Sequence, residues 1–110
     1  MKQYVIDQLR LEDHRRLKEY LDGHFNGSAI DGIYWVPLDR SLFNGTQRRH
    51  TLCQPFYFTL ELEQNRLACE FLVRTQQRVR CGCMGYADAT QRAWLMDLVD
   101  DILDELDIRI

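Results

Sequence analysis

The sequence predicts an α+β fold: a mainly antiparallel, curved sheet of about five strands with two main helices on one face, in the order β-α-β-(short α)-β-β-β-α. Apolar residues recur at three- and four-residue spacing over 11–25 and again over 94–106, as in amphipathic helices. Between these stretches, three segments alternate with period two, as in strands with one buried face. Short connections between those segments imply antiparallel hairpins.

Residues 3–9 read as the first strand, with Tyr4, Val5 and Ile6 supplying β-propensity. Over 11–25 the period changes: Leu11, His14, Leu17, Tyr20, Leu21 and Phe25 form an apolar stripe, and Arg15, Arg16, Lys18, Glu19 and Asp22 lie outward. Gly23 stands near the helix end, and Asn26-Gly27-Ser28 reads as a loop because Asn and Gly tolerate left-handed backbone. Ile33, Tyr34, Trp35 and Val36 form a second strand, closed by Pro37, which cannot donate to a sheet ladder.

Residues 39–53 are expected to form a short helix or an irregular loop. Asp39 or Ser41 is a suitable cap, but Asn44-Gly45 interrupts after barely one turn. Long connections of this kind are disproportionately functional.

Three strands are then expected at 55–63, 66–74 and 78–84. Phe56, Phe58, Leu60 and Leu62 share one face of the first, Leu67, Cys69, Phe71 and Val73 one face of the second, and Val79, Cys81 and Cys83 one face of the third. Asp88 begins the closing helix as an N-cap with Gln91 three residues on, a capping box, ahead of a wide stripe of Trp94, Leu95, Leu98, Val99, Ile102, Leu103 and Leu106. This element order resembles one β-α-β₄-α unit of the TATA-box-binding-protein-like topology. The resemblance lies in element order alone and implies nothing about function.

A chain of 110 residues with 45% hydrophobic and 28% charged residues reads as one globular domain, 1–110, and excludes fibrous and disordered classes. No apolar run approaches a membrane span, and Asp7 comes too early for a signal-peptide core, so a cytoplasmic protein with no membrane contact is expected.

The net charge of −3 is a cancellation. From Asp88 onward, seven acids face only Arg92 and Arg109, a net −5, so the preceding residues hold ten acids and twelve bases, a net +2. Bases interleaved with acids make no phosphate-binding face, which argues against a nucleic-acid partner.

Four cysteines, Cys53, Cys69, Cys81 and Cys83, raise three readings. Two disulfides are disfavoured without an export signal. Core packing is favoured, because free cysteine is among the most buried residue types and its strand neighbours here are Leu, Phe and Val. The competing reading is a metal or thiol-redox site of His50, Cys53, Cys81 and Cys83, ligand types that suit tetrahedral zinc. The spacing opposes it: on a strand, Cys81 and Cys83 stand about 7 Å apart on one face.

Two surfaces invite a partner. Asp97, Asp101 and Asp104 line an acidic edge of the last helix, and Arg48 and Arg49 form a small basic cluster in the 39–53 connection. The wet sheet face, with Tyr57, Thr59, Glu61, Glu63, Glu70, Arg74, Arg78 and Arg80, is explained by cross-strand pairing, although Leu72, Met84 and Tyr57 enlarge it toward a self-complementary surface. For catalysis the sequence offers no established motif, and a set of His24, His50, Cys53 and Asp31 has nothing in the sequence to bring it together. The leading expectation is therefore a protein-association or adaptor domain acting as a homodimer, without a cofactor and leaning away from, though not excluding, an enzyme; the alternative is the zinc or redox site.

Overall fold

A computed structural model describes residues 2–25, 30–77 and 81–109. In chain order the elements are β1 (Gln3–Ile6), α1 (Leu11–His24), β2 (Ile33–Pro37), a 3₁₀ turn (Arg40–Leu42), α2 (Gly45–Arg49), a second 3₁₀ turn (Thr51–Cys53), β3 (Phe56–Leu62), β4 (Leu67–Glu70), β5 (Leu72–Thr75), β6 (Gly85–Tyr86) and α3 (Ala89–Glu105). The class is α+β, with an antiparallel sheet of six strands.

The sheet is organised by β3, the longest strand. β2 pairs along one edge, and β4 followed by β5 along the other. β1 then pairs with β4, and β6 with β5. The expected strand 66–74 is thus two pieces, which with the short β6 makes six strands rather than about five. Leu60 faces Cys69 and Phe56 faces Thr75, so the β4–β5 side carries two more residues than β3 between those pairs, around Phe71. An insertion of two keeps the period of two in phase. Leu67, Cys69, Phe71, Val73 and Thr75 therefore all remain buried, where a one-residue slip would have turned half of them outward.

Both long helices cover that face. Leu17 and Leu21 of α1 and Leu95, Val99, Ile102 and Leu103 of α3 share one core with Phe56, Phe58, Leu60, Cys69 and Val73. Tyrosines on two strands reach up to the helices: Tyr34 Oη donates to Asp22 at 2.6 Å, and Tyr4 Oη to Asp100 at 2.6 Å. On the opposite face Glu70 accepts from Arg74 at 2.9 Å, an ion pair between the consecutive segments β4 and β5 rather than across paired strands, and from Thr59 on the neighbouring β3 at 3.5 Å. Met84 packs against the core instead of enlarging that face. Among the described residues no helix is long and apolar enough to cross a membrane.

Several expectations need correction. The first strand stops at Ile6 because Gln8 takes a left-handed conformation (φ 57°) and turns Leu9 toward Asn65, whose carbonyl accepts the Leu9 amide at 2.8 Å. Leu11, expected on the apolar stripe, is 74% exposed, whereas Asp13 is buried. Asp13 is the third residue of α1: it accepts from the Arg10 amide (3.3 Å), Arg10 Nε (3.2 Å) and Arg16 Nη2 (3.1 Å), so the first turn is oriented by a cap rather than by apolar burial. Asp39 caps one turn as expected, its carboxylate accepting from the Ser41 amide at 3.0 Å, and that turn ends at Phe43; Asn44 then also starts a helix, since its Oδ1 accepts from the Gln47 amide at 2.8 Å.

The expected strand 78–84 is not a strand over its described part. Residues 78–80 lie outside the described residues, and Cys81–Met84 is a β-turn closed by the Met84 amide on the Cys81 carbonyl at 3.1 Å. Gly82, at the second position, packs no side chain and favours the turn over the strand. Among the described residues, pairing resumes at Gly85.

Candidate metal centre

Two short tight segments meet at the end of the sheet. The first is the 3₁₀ turn Thr51–Cys53, entered from His50 and closed by the Cys53 amide on the His50 carbonyl at 3.0 Å. With three residues per turn, positions i and i+3 stack above one another, so His50 and Cys53 point to the same side. The second is the β-turn Cys81–Met84. Reversing the chain inside four residues brings Cys81 and Cys83 to one place, in contrast to the separation of about 7 Å expected on a strand.

The four side chains converge: their ligand atoms all lie within 4.8 Å of one another. Cys53 Sγ and Cys81 Sγ are 3.7 Å apart, and Cys81 Sγ lies 3.3 Å from His50 Nδ1. A tetrahedral zinc with Zn–S near 2.3 Å and Zn–N near 2.0 Å requires S···S edges of about 3.8 Å and S···N edges of about 3.5 Å. The two measured edges match this within a few tenths of an ångström. The sulfurs are too far apart for a disulfide, whose S–S bond is about 2.05 Å, and all four cysteines are free thiols.

The electrostatics suit a cation. The backbone amide of Cys83, then its thiol, and after them Cys53 and His50 hold the Cys81 thiol down to about 6 against the opposing effect of burial. Burial pushes Cys83 up to about 12, with Cys81 and Cys53 adding to the shift. A divalent ion supplies the positive charge that would let all three ionise together.

A supporting shell fixes these turns. Thr75 Oγ1 donates to the Cys53 carbonyl and accepts from the Gln77 amide at 3.1 Å, tying the Cys53 turn to the end of β5. Gln54 Nε2 donates to the carbonyls of Gln47 (3.1 Å) and Arg48 (3.4 Å). The His50 amide closes α2 onto Thr46 and Gln47. Behind them, buried Gln91 donates to Gln47 Oε1 at 3.0 Å and to the Leu42 carbonyl at 2.8 Å. Gln47 is not among the expected site residues, yet it carries a sequence signal: Asn44 followed three residues on by Gln47 is the same capping box as Asp88 with Gln91.

The other expected site residues lie apart from the cluster or serve structure. Arg48 and Arg49 are exposed; Arg48 donates to the carbonyls of Phe43 (2.9 Å) and Ser41 (3.2 Å), and Arg49 to Thr46 (3.5 Å). Asp97, Asp101 and Asp104 are exposed on α3. His24 stacks on Tyr20 with ring centroids 3.8 Å apart, and Asp31 pairs with Lys18 at 3.1 Å, so neither joins His50 and Cys53. Cys69 is the cysteine that fits the packing reading: it is fully buried, and burial, then Asp100, pushes its thiol up to about 12. Compared with protein families, curated proteins and solved structures, the chain matches none.

Proposed function

We propose that the chain is a zinc-binding domain, with His50, Cys53, Cys81 and Cys83 as a closed four-ligand centre that ties the 81–84 turn to the 50–53 turn. The observation that supports this is the convergence of one imidazole and three thiols within 4.8 Å from segments 28 residues or more apart in sequence. Zinc suits the set: three thiolates and one imidazole are a common structural combination, and four protein ligands leave no open position for substrate, which favours a structural role over catalysis. A centre of reduced thiols also fits a reducing compartment such as the cytoplasm.

The test is elemental analysis of protein purified without chelator, followed by thiol titration. One zinc per chain, with Cys53, Cys81 and Cys83 shielded from alkylation until a chelator is added, is the expected result. No bound metal after zinc is offered, and equal alkylation with and without chelator, would overturn it.

A second reading, association with itself or another protein, is favoured by Leu52, which is 77% exposed although it lies between two of the ligands. Arg48 and Arg49 flank the same segment, and the acidic α3 face with Asp97, Asp101 and Asp104 offers a surface of opposite charge. Sedimentation at high concentration distinguishes the outcomes: twice 13.1 kDa supports a homodimer, and 13.1 kDa refutes it.

A further inference from the structure

The three ligand sulfurs are not equivalent toward solvent. Cys53 and Cys83 are buried, at 2% and 4% exposure, whereas Cys81 is half-buried. Beside it Gly82 is exposed, and a Cβ built there would meet nothing within 4 Å. A small oxidant therefore reaches Cys81 before the other two. Its Sγ already lies 3.7 Å from that of Cys53 on the other segment.

From this arrangement we infer that Cys81 is a peroxide-reactive modification site, and that its oxidation joins it to Cys53 and expels the zinc. The inference rests on the zinc reading above and adds a regulation to it. The co-reactant class is a hydroperoxide, with hydrogen peroxide the simplest member. The Cys81 thiolate attacks one peroxide oxygen and the O–O bond breaks, giving a sulfenic acid and hydroxide. The Cys53 thiolate then attacks the Cys81 sulfur, the S–S bond forms, the S–O bond breaks and a second hydroxide leaves. Two protons from solvent convert the hydroxides to water. Two thiolates have lost two electrons and the peroxide has gained them.

The sulfurs must approach by about 1.7 Å to reach bonding distance, a shift that side-chain rotation can supply. A bond from Cys81 to Cys83 would instead close a ring around a single intervening residue and strain the disulfide dihedral away from about 90°. After the Cys53–Cys81 bond forms, His50 and Cys83 are the remaining ligands, too few to retain zinc against water and cellular chelators. The turn at 81–84 and the turn at 50–53 stay joined, now by a covalent bond. Oxidation thus exchanges one cross-link for another and releases the ion.

The experiment uses the full chain, first assayed for zinc and then exposed to hydrogen peroxide with a colorimetric zinc indicator present, and the products mapped by mass spectrometry without reduction. Zinc should appear at least roughly tenfold faster than in the peroxide-free control, with one Cys53–Cys81 disulfide per zinc released. Dithiothreitol should then restore zinc binding. Protein that loads zinc but keeps it in excess peroxide, or that forms Cys81–Cys83, overturns the inference and leaves the zinc reading standing. Protein that never loads zinc overturns both.

Discussion

Gln47 and Gln91 meet inside the core: Gln91 Nε2 donates to Gln47 Oε1 at 3.0 Å, and both side chains are buried. Each also closes a capping box, Gln47 that of α2 and Gln91 that of α3, so the starts of two helices are locked to each other. The α2 end carries His50, which makes this pair the anchor that sets the imidazole relative to the sheet.

Gln91→Leu removes the donor to Gln47 and to the Leu42 carbonyl and opens the α3 cap. The Leu42 carbonyl loses its partner, Gln47 Oε1 keeps only the Asn44 amide, and an unsatisfied buried acceptor costs about 1–3 kcal/mol, so with the lost cap urea denaturation should show a loss of about 2–3 kcal/mol. A loss below about 0.5 kcal/mol would mean that water replaces the amide and that the pair does not anchor the two helices.

The four cysteines should separate into two groups. Cys53→Ser, Cys81→Ser and His50→Ala each delete a proposed ligand, and each should weaken zinc binding by more than the roughly 10–100-fold typical of losing a supporting residue. Cys69→Ala should keep one zinc per chain while lowering stability by about 1 kcal/mol, as expected for a small deletion in a packed core. Zinc titration and urea melts on the same variants check both halves. Loss of zinc in Cys69→Ala with the fold intact would contradict the assignment.

In the reduced, metal-free protein Cys81 should be the fastest thiol to alkylate. Its value of about 6 lies below the ordinary 9, so the reactive thiolate dominates above about pH 6 and is lost as the pH falls through it. Cys69 and Cys83 are shifted the other way, to about 12, and should stay slow through neutral pH. Site-resolved alkylation rates between pH 5 and 9 give the order directly, and a Cys81 rate still rising tenfold per pH unit above 7 would refute it.

Asp13 should contribute to acid sensitivity. Burial alone would raise its carboxyl, but the Arg10 side chain and amide and the Arg16 guanidinium hold it below its ordinary 3.8. A depressed carboxyl stabilises the fold above its unfolded value and loses that contribution as the pH falls through the folded one. Wild-type stability should therefore decline below about pH 4, and Asp13→Asn should flatten that part of the profile while costing about 1–2 kcal/mol at pH 7. Arg16 Nη1 also donates to the Leu106 carbonyl at 2.6 Å, just past the end of α3, so the variant should loosen that end, visible as faster amide exchange there. Identical acid profiles for the two proteins would remove Asp13 from this role.

What the sequence determined by itself was local. Period-two alternation placed β3 and the buried residues of β4 and β5, three- and four-residue recurrence placed α1 and α3, and Asp88 with Gln91 marked the start of the last helix, because each is a property of neighbours along the chain. Tertiary structure decided the rest. Asn44 and Gln47 mark the start of α2 locally, but only packing joins that cap to the start of α3, through Gln91. Cys81 and Cys83 have strand-like spacing, and only the turn at Gly82 brings both sulfurs to one point. His50 and Cys53 reach that point because a 3₁₀ turn, held by Thr75 on the neighbouring strand β5, stacks residues three apart. A four-ligand centre depends on distances between segments far apart in the chain, and those distances are set by packing rather than by spacing.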